Sequence, residues 1–143
     1  MRYLLDTNVV SEVVRPVPEP TVLARFAAAE GMAALSSVTW HELRYGVERM
    51  PVGRRRKALE AFVRSLLGRY PVLPYDEDAA QWHARERVRL AALGRPASFA
   101  DGQIAAAAAT RDAVLVTRNT QDFTGFAGIE VVSWWARGDD APP

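Results

Sequence analysis

Short apolar runs alternate with longer stretches of helical periodicity along almost the whole chain, and that alternation leaves few folds open. The runs are Arg2-Tyr3-Leu4-Leu5, Met32-Ala33-Ala34-Leu35, Val72-Leu73, Ala113-Val114-Leu115-Val116 and Ile129-Glu130-Val131-Val132. They are too short for buried helices, so strands are expected at these places. Helical spacing is expected between them, over roughly 9–15, 21–30, 39–48, 54–69, 76–93 and 98–111. A strand that returns through a helix pairs in parallel with its predecessor, and a parallel sheet has to be covered on both faces. The expected fold class is α/β, a five-stranded parallel sheet flanked by helices on both faces.

A chain of 143 residues, 49% of them hydrophobic, can bury one substantial core. One domain is expected over 1–137, followed by a disordered tail at 138–143, Gly-Asp-Asp-Ala-Pro-Pro. Leu59, Phe62, Val63, Leu66 and Leu67 follow a single helical stripe, a face that packs or dimerises. The small side chains from Ile104 to Ala109 suit a helix lying close against the sheet. Gly94 and Pro96 end the helix before it, and Pro16, Pro18 and Pro20 mark a loop.

There are no cysteines, which excludes disulfides, thiolate chemistry and cysteine-based zinc sites. The acid at Asp6 interrupts the apolar run a signal peptide needs, and no later run is long enough to span a bilayer, so a cytoplasmic protein is expected. Net charge is only +1, and the total says little about nucleic acid. All 18 basic residues except Lys57 are arginines. They crowd at 54–57, with Arg64 and Arg69, and again at Arg85, Arg87, Arg89 and Arg95, where phosphate contact and ordinary solvated helix faces are both open readings.

Open parallel sheets bind ligands beyond the carboxyl ends of their strands, so the residues just after each expected strand matter most. Asp6 follows the first strand, beside the small polar Thr7 and Asn8. After the second come Ser36 to Thr39, then Glu42 in what reads as the first turn of a helix. Asp101 falls in the first turn of the alanine-rich helix, and Thr117, Asn119 and Asp122 follow the fourth strand. Each acid also has an ordinary role open to it. Asp6 can cap a helix, and Thr39-Trp40-His41-Glu42 and Ser98-Phe99-Ala100-Asp101 both have capping-box spacing. Three acids from three junctions are a different matter, because like charges brought together on one edge need a cation.

Hard oxygen donors without cysteine or a histidine pair select Mg²⁺ or Mn²⁺. Such ions activate water and stabilise phosphate charge, and phosphodiester hydrolysis is the natural reaction for them. The two histidines, His41 and His83, are read as packing or surface residues, and the pair Trp134-Trp135 as an anchor for the chain end.

The pattern resembles a known family. Leu4-Leu5-Asp6-Thr7-Asn8-Val9-Val10-Ser11-Glu12 is similar to the opening of PIN-domain toxins of the VapC and FitB-like type. Glu42-Leu43-Arg44-Tyr45-Gly46 is similar to their E-L-x-x-G block, and Ala100-Asp101-Gly102-Gln103-Ile104-Ala105-Ala106 to their A-D-x-x-I-A-A helix. The segment from Val116 through Thr117, Asn119 and Asp122 to Phe123 is similar to their T-x-D/N-x-x-D/H-F block. The resemblance implies a PIN-like fold and Mg²⁺- or Mn²⁺-dependent endoribonuclease activity on RNA. It also implies a homodimer and inhibition by a small cognate antitoxin protein. It carries over Asp6, Glu42 and Asp101 as catalytic, metal-holding acids, Glu42 through water or directly, with Thr7, Asn8, Thr117, Asn119 and Asp122 in support. The family often carries a fourth acid where this chain has Asn119, and Asp122 is the alternative donor. A non-catalytic PIN-like domain that binds RNA or protein is the competing expectation. A phosphotransfer receiver fits poorly, because the only lysine, Lys57, lies in the basic cluster.

Overall fold

The computed structural model describes residues 1–136. Five strands, β1 (Tyr3–Leu5), β2 (Ala33–Ser36), β3 (Val72–Leu73), β4 (Val114–Val116) and β5 (Val131–Val132), form one sheet in the order β3-β2-β1-β4-β5. Every pairing is parallel, with Leu4 aligned to Ala34 on one side and to Leu115 on the other. The helices are α1 (Thr7–Val13), α2 (Pro20–Ala28), α3 (Ser37–Glu48), α4 (Arg54–Ser65), α5 (Glu77–Ala92) and α6 (Phe99–Thr110), with a short 3-10 helix at Thr120–Phe123. The tail expected at 138–143 lies outside the described residues.

The side-chain alternation of the strands splits the core in two. Leu4, Ala34 and Leu115 point to one face, where α5 and α6 pack through Leu90, Ile104, Ala105 and Ala108. Leu5, Leu35 and Val116 point to the other, beneath Val9 and Val10 of α1, Phe26 of α2, Leu43 and Val47 of α3 and Val63 of α4. Chain order runs outward from β1 through β2 to β3, then returns to β4 on the opposite flank. The reversal opens a crevice beyond the carboxyl ends of β1 and β4, the place such a sheet reserves for ligands.

Several boundaries differ from the sequence expectation, each for a local reason. Helix α1 begins two residues early because Asp6 is itself the cap, its Oδ1 accepting from the Thr7 backbone N–H at 2.8 Å. Helix α3 begins at Ser37, capped by Ser36, whose hydroxyl accepts from Thr39 N–H at 3.1 Å. Glu42 therefore stands in the second turn, not the first, and the Thr39–Glu42 spacing is no capping box. Helix α4 ends at Ser65, so the stripe through Leu59, Phe62, Val63 and Leu66 packs on the core while Leu67 is left half exposed.

Candidate active site

Asp6 closes β1 and is 7% exposed. Its two oxygens are separately held. Thr7 N–H reaches Oδ1, and Oδ2 accepts from the Thr117 hydroxyl at 2.8 Å and from the Asn8 amide at 3.4 Å. Asn8 also donates to Thr117 Oγ1 at 3.3 Å, and its Oδ1 accepts the Arg118 backbone N–H at 3.0 Å. The ends of β1 and β4 are thus laced together around one carboxylate. Burial pushes the Asp6 carboxyl above the usual aspartate range. The Thr117 and Thr7 bonds pull it back, and the charges of Glu42 and Asp101 push it up again.

Glu42 projects from α3 into solvent and accepts a hydrogen bond from the Thr7 hydroxyl on Oε1. Asp101 sits at the third position of α6, half-buried, and its carboxyl is also raised. Burial is the main cause, the Ser98 hydroxyl opposes it, and Asp122 and Glu42 add to it. The α6 cap is the Ser98 hydroxyl accepting from Asp101 N–H at 3.1 Å, so the capping bond is made by the Asp101 backbone and does not require its carboxylate. A cleft of about 460 Å³ joins Asp101, Ser98 and Arg95 to Gln121 and Asp122 on the 3-10 helix. Asn119 is exposed; its backbone N–H donates to Thr117 Oγ1 at 3.1 Å and its backbone carbonyl accepts from Asp122 N–H at 3.1 Å.

The structure therefore brings Asp6, Glu42 and Asp101 within each other's electrostatic reach from three junctions, and adds Asp122 beside Asp101. Among the described residues, no three Asp, Glu or His side chains converge on a single point at ligating distance. The donors are carboxylate, hydroxyl and amide oxygens without thiolate or imidazole, a set suited to a hard divalent cation. His41 is exposed. His83 is buried against Gly102, bonded at Nδ1 to the Tyr75 hydroxyl at 2.8 Å, and burial followed by the Arg87 charge lowers its basicity. Trp134 is buried with its ring 5.5 Å from that of Tyr3, whereas Trp135 carries the Arg118 guanidinium 5.3 Å from its ring centre.

Sequence reading passed over Glu12, which is 3% exposed. Its carboxylate accepts the Glu19 backbone N–H at 2.8 Å and pairs with Arg15 at 3.0 Å, tying α1 to the proline-rich loop. The signal was present, because an acid three residues after Val9 lies on the apolar stripe of α1.

Fold and site together define an α/β domain with a group of acids and oxygen donors, without thiolate or imidazole, near its topological switch point. A model of the PIN domain matches residues 3–128, and the chain belongs to the PIN-domain family. It is 36% identical over 135 residues to the tRNA(fMet)-specific endonuclease VapC of Shigella flexneri, covering 94% of this chain and 98% of that protein. It is 35% identical over 136 residues to Toxin FitB of Neisseria gonorrhoeae, covering 92% and 97% respectively. The crystal structure of FitAcB from Neisseria gonorrhoeae superposes with a TM-score of 0.86 at 34% identity, covering 93% of this chain and 98% of that one. No helix among the described residues is long and apolar enough to cross a membrane.

Proposed function

We propose that this protein is an endoribonuclease toxin of the VapC and FitB type, cutting RNA with Mg²⁺ or Mn²⁺ held by Asp6, Glu42 and Asp101, and restrained by a small cognate antitoxin. The observation that carries the reading is the buried Asp6 carboxylate, held by two hydroxyl- and amide-bearing neighbours yet pressed by the charges of Glu42 and Asp101. Repulsion of this kind is tolerated where a cation is to be bound. Near-full-length similarity to an endonuclease and to a toxin supports the same reading.

Each residue has a task. The bonds from Thr117, Thr7 and Asn8 stop the Asp6 carboxylate rotating, so its position needs no reorganisation when substrate arrives. The Thr7 hydroxyl occupies Glu42 Oε1, leaving Oε2 to accept a proton from an attacking water. Asp101 and Asp122 line the cleft where the leaving strand would lie. A bound divalent cation would supply charge stabilisation for the phosphate and a more acidic water.

The purified protein is expected to cleave single-stranded or loop RNA in Mg²⁺ or Mn²⁺ and to stop in excess EDTA, with Asp6→Asn inactive under both conditions. Cleavage undiminished by EDTA refutes the metal role. The neutral Asn119 favours a second reading, a PIN-like domain that binds RNA or protein without cutting it, and RNA binding with no cleavage in either metal would establish that reading instead.

A further inference from the structure

We infer that Arg118 grips a phosphate of the RNA strand next to the cleaved bond, its guanidinium held in place by Trp135. The inference rests on the ribonuclease reading and adds to it a substrate-binding residue on the β4–β5 side of the pocket. Arg118 immediately follows Thr117, the residue whose hydroxyl holds Asp6, and its own N–H is fastened to Asn8 Oδ1 at 3.0 Å. Asn8 bonds Asp6 and Thr117 as well, so the backbone of Arg118 and the Asp6 carboxylate share one rigid mount.

The side chain is pre-positioned too. Its guanidinium lies over the Trp135 ring, with Cζ 5.3 Å from the centroid, and a cation held over a ring face keeps its N–H donors for other partners. Those donors form the planar fork that matches phosphate oxygens. Arg15, Arg44, Arg56, Arg64, Arg69, Arg89 and Arg111 all sit in ion pairs. Arg118 makes none among the described residues. The carboxylate that does feel its charge, Glu12, is already committed to Arg15 and the Glu19 N–H.

The pocket needs such a cation. Asp6, Glu42, Asp101 and Asp122 repel a polyanion, and a metal ion among the acids does nothing for the phosphates on either side of the one being cut. Arg95 borders the cleft on the α5–α6 side, but on an exposed loop where no side-chain contact among the described residues orients it. Arg49 borders Thr7 and Glu42 from the end of α3 with its guanidinium over the Tyr45 ring, but Arg118 is the arginine whose own backbone is fastened to the residues that hold Asp6.

The test measures binding of a fluorescent single-stranded RNA oligonucleotide to Asp6→Asn protein, with and without Arg118→Ala or Arg118→Lys, across a salt series. Arg118→Ala should weaken binding about 5- to 20-fold at low salt and lower the slope of log K against log salt by about 0.7, the value for one phosphate contact on a single strand. Arg118→Lys should keep the slope but recover only part of the affinity. In the cleaving protein, Arg118→Ala should raise KM with kcat within about twofold, as expected when uniform binding is removed. Unchanged affinity and slope would overturn the inference, whether or not the variant melts at a lower temperature. A fall in kcat at constant KM would overturn it too. Wild-type protein that never cleaves RNA would sink the ribonuclease reading instead, while the binding titration still decides the role of Arg118.

Discussion

Ser98 and Asp101 divide two roles that one sequence spacing confounds. The spacing allows Asp101 to serve α6 as a capping acid, but the cap bond runs from Asp101 N–H to the Ser98 hydroxyl and leaves the carboxylate among Asp122, Glu42 and Asp6. Ser98→Ala should therefore cost about 1 kcal/mol of stability, the usual value of a lost N-cap. Asp101→Asn removes one of four crowded charges, so the metal-free variant should melt no lower than wild type while cleavage is lost. Denaturation of both variants beside one cleavage assay checks the pair of outcomes, and an Asp101→Asn protein that cleaves normally but melts low would restore the capping role. Asn119 poses a similar question. Asn119→Asp should tighten Mn²⁺ binding in a calorimetric titration, and Asp122→Asn should weaken it, since each changes a full charge beside the pocket. An unmoved affinity for Asn119→Asp would leave Asp122 as the fourth acid. The acids themselves were legible because each follows an expected strand or opens an expected helix. Their bonding was not: Thr117 lies 111 positions from Asp6, and nothing local in sequence says that the two strands adjoin.

Pairing of α5 with α6 illustrates what element-level reading captures and what it misses. The alanine run of α6 announced close packing, and the strand–helix alternation announced the parallel sheet, because both are periodic along the chain. The strand order and the partner of α6 depend on contacts between distant segments, which periodicity does not encode. Gly102 marks the tightest of those contacts. A Cβ built there would fall 2.0 Å from His83 Nε2, so the glycine's missing side chain is what admits the buried imidazole. A glycine inside an otherwise alanine-rich helix is the sequence trace of such an approach. Gly102→Ala gains helix propensity but forces overlap, and the net effect should be a loss of roughly 1–3 kcal/mol. Because residue 102 adjoins Asp101, cleavage should fall as well. His83→Ala in the same protein should recover part of the stability, since the smaller side chain removes the clash. Urea denaturation of the two single variants and the double variant measures this coupling, and strictly additive losses would mean that Gly102 is set by something other than His83.

At the scale of the whole molecule, the acids make opposing contributions to stability as pH changes. Glu12 and Glu86 are held below the usual glutamate range. For Glu12 the chief cause is the bond from the Glu19 N–H, and for Glu86 it is the bond from Arg89. Their contribution is present above the ordinary glutamate value and is lost as pH falls through the folded one. Asp6 and Asp101 act in the reverse sense. Burial first, then their acidic neighbours, holds their folded-state values above the unfolded ones, so the native protein binds these protons more tightly than the unfolded chain does. Stability then declines as pH rises from the ordinary aspartate value through the raised one. Asp6→Asn keeps an acceptor for Thr7 N–H but removes the titration. Without metal, the melting temperature of the variant minus that of wild type should therefore be smallest at acid pH and grow as pH rises through the Asp6 titration, then level off. Excess Mg²⁺ at neutral pH should reverse the trend, because the cation binds wild type more strongly and stabilises it in proportion to that binding. Melting curves over a pH series, with and without Mg²⁺, provide the measurement. A difference that stays constant with pH in the absence of metal would show that Asp6 titrates alike in the folded and unfolded chain, and the strained acid pocket would have to be abandoned.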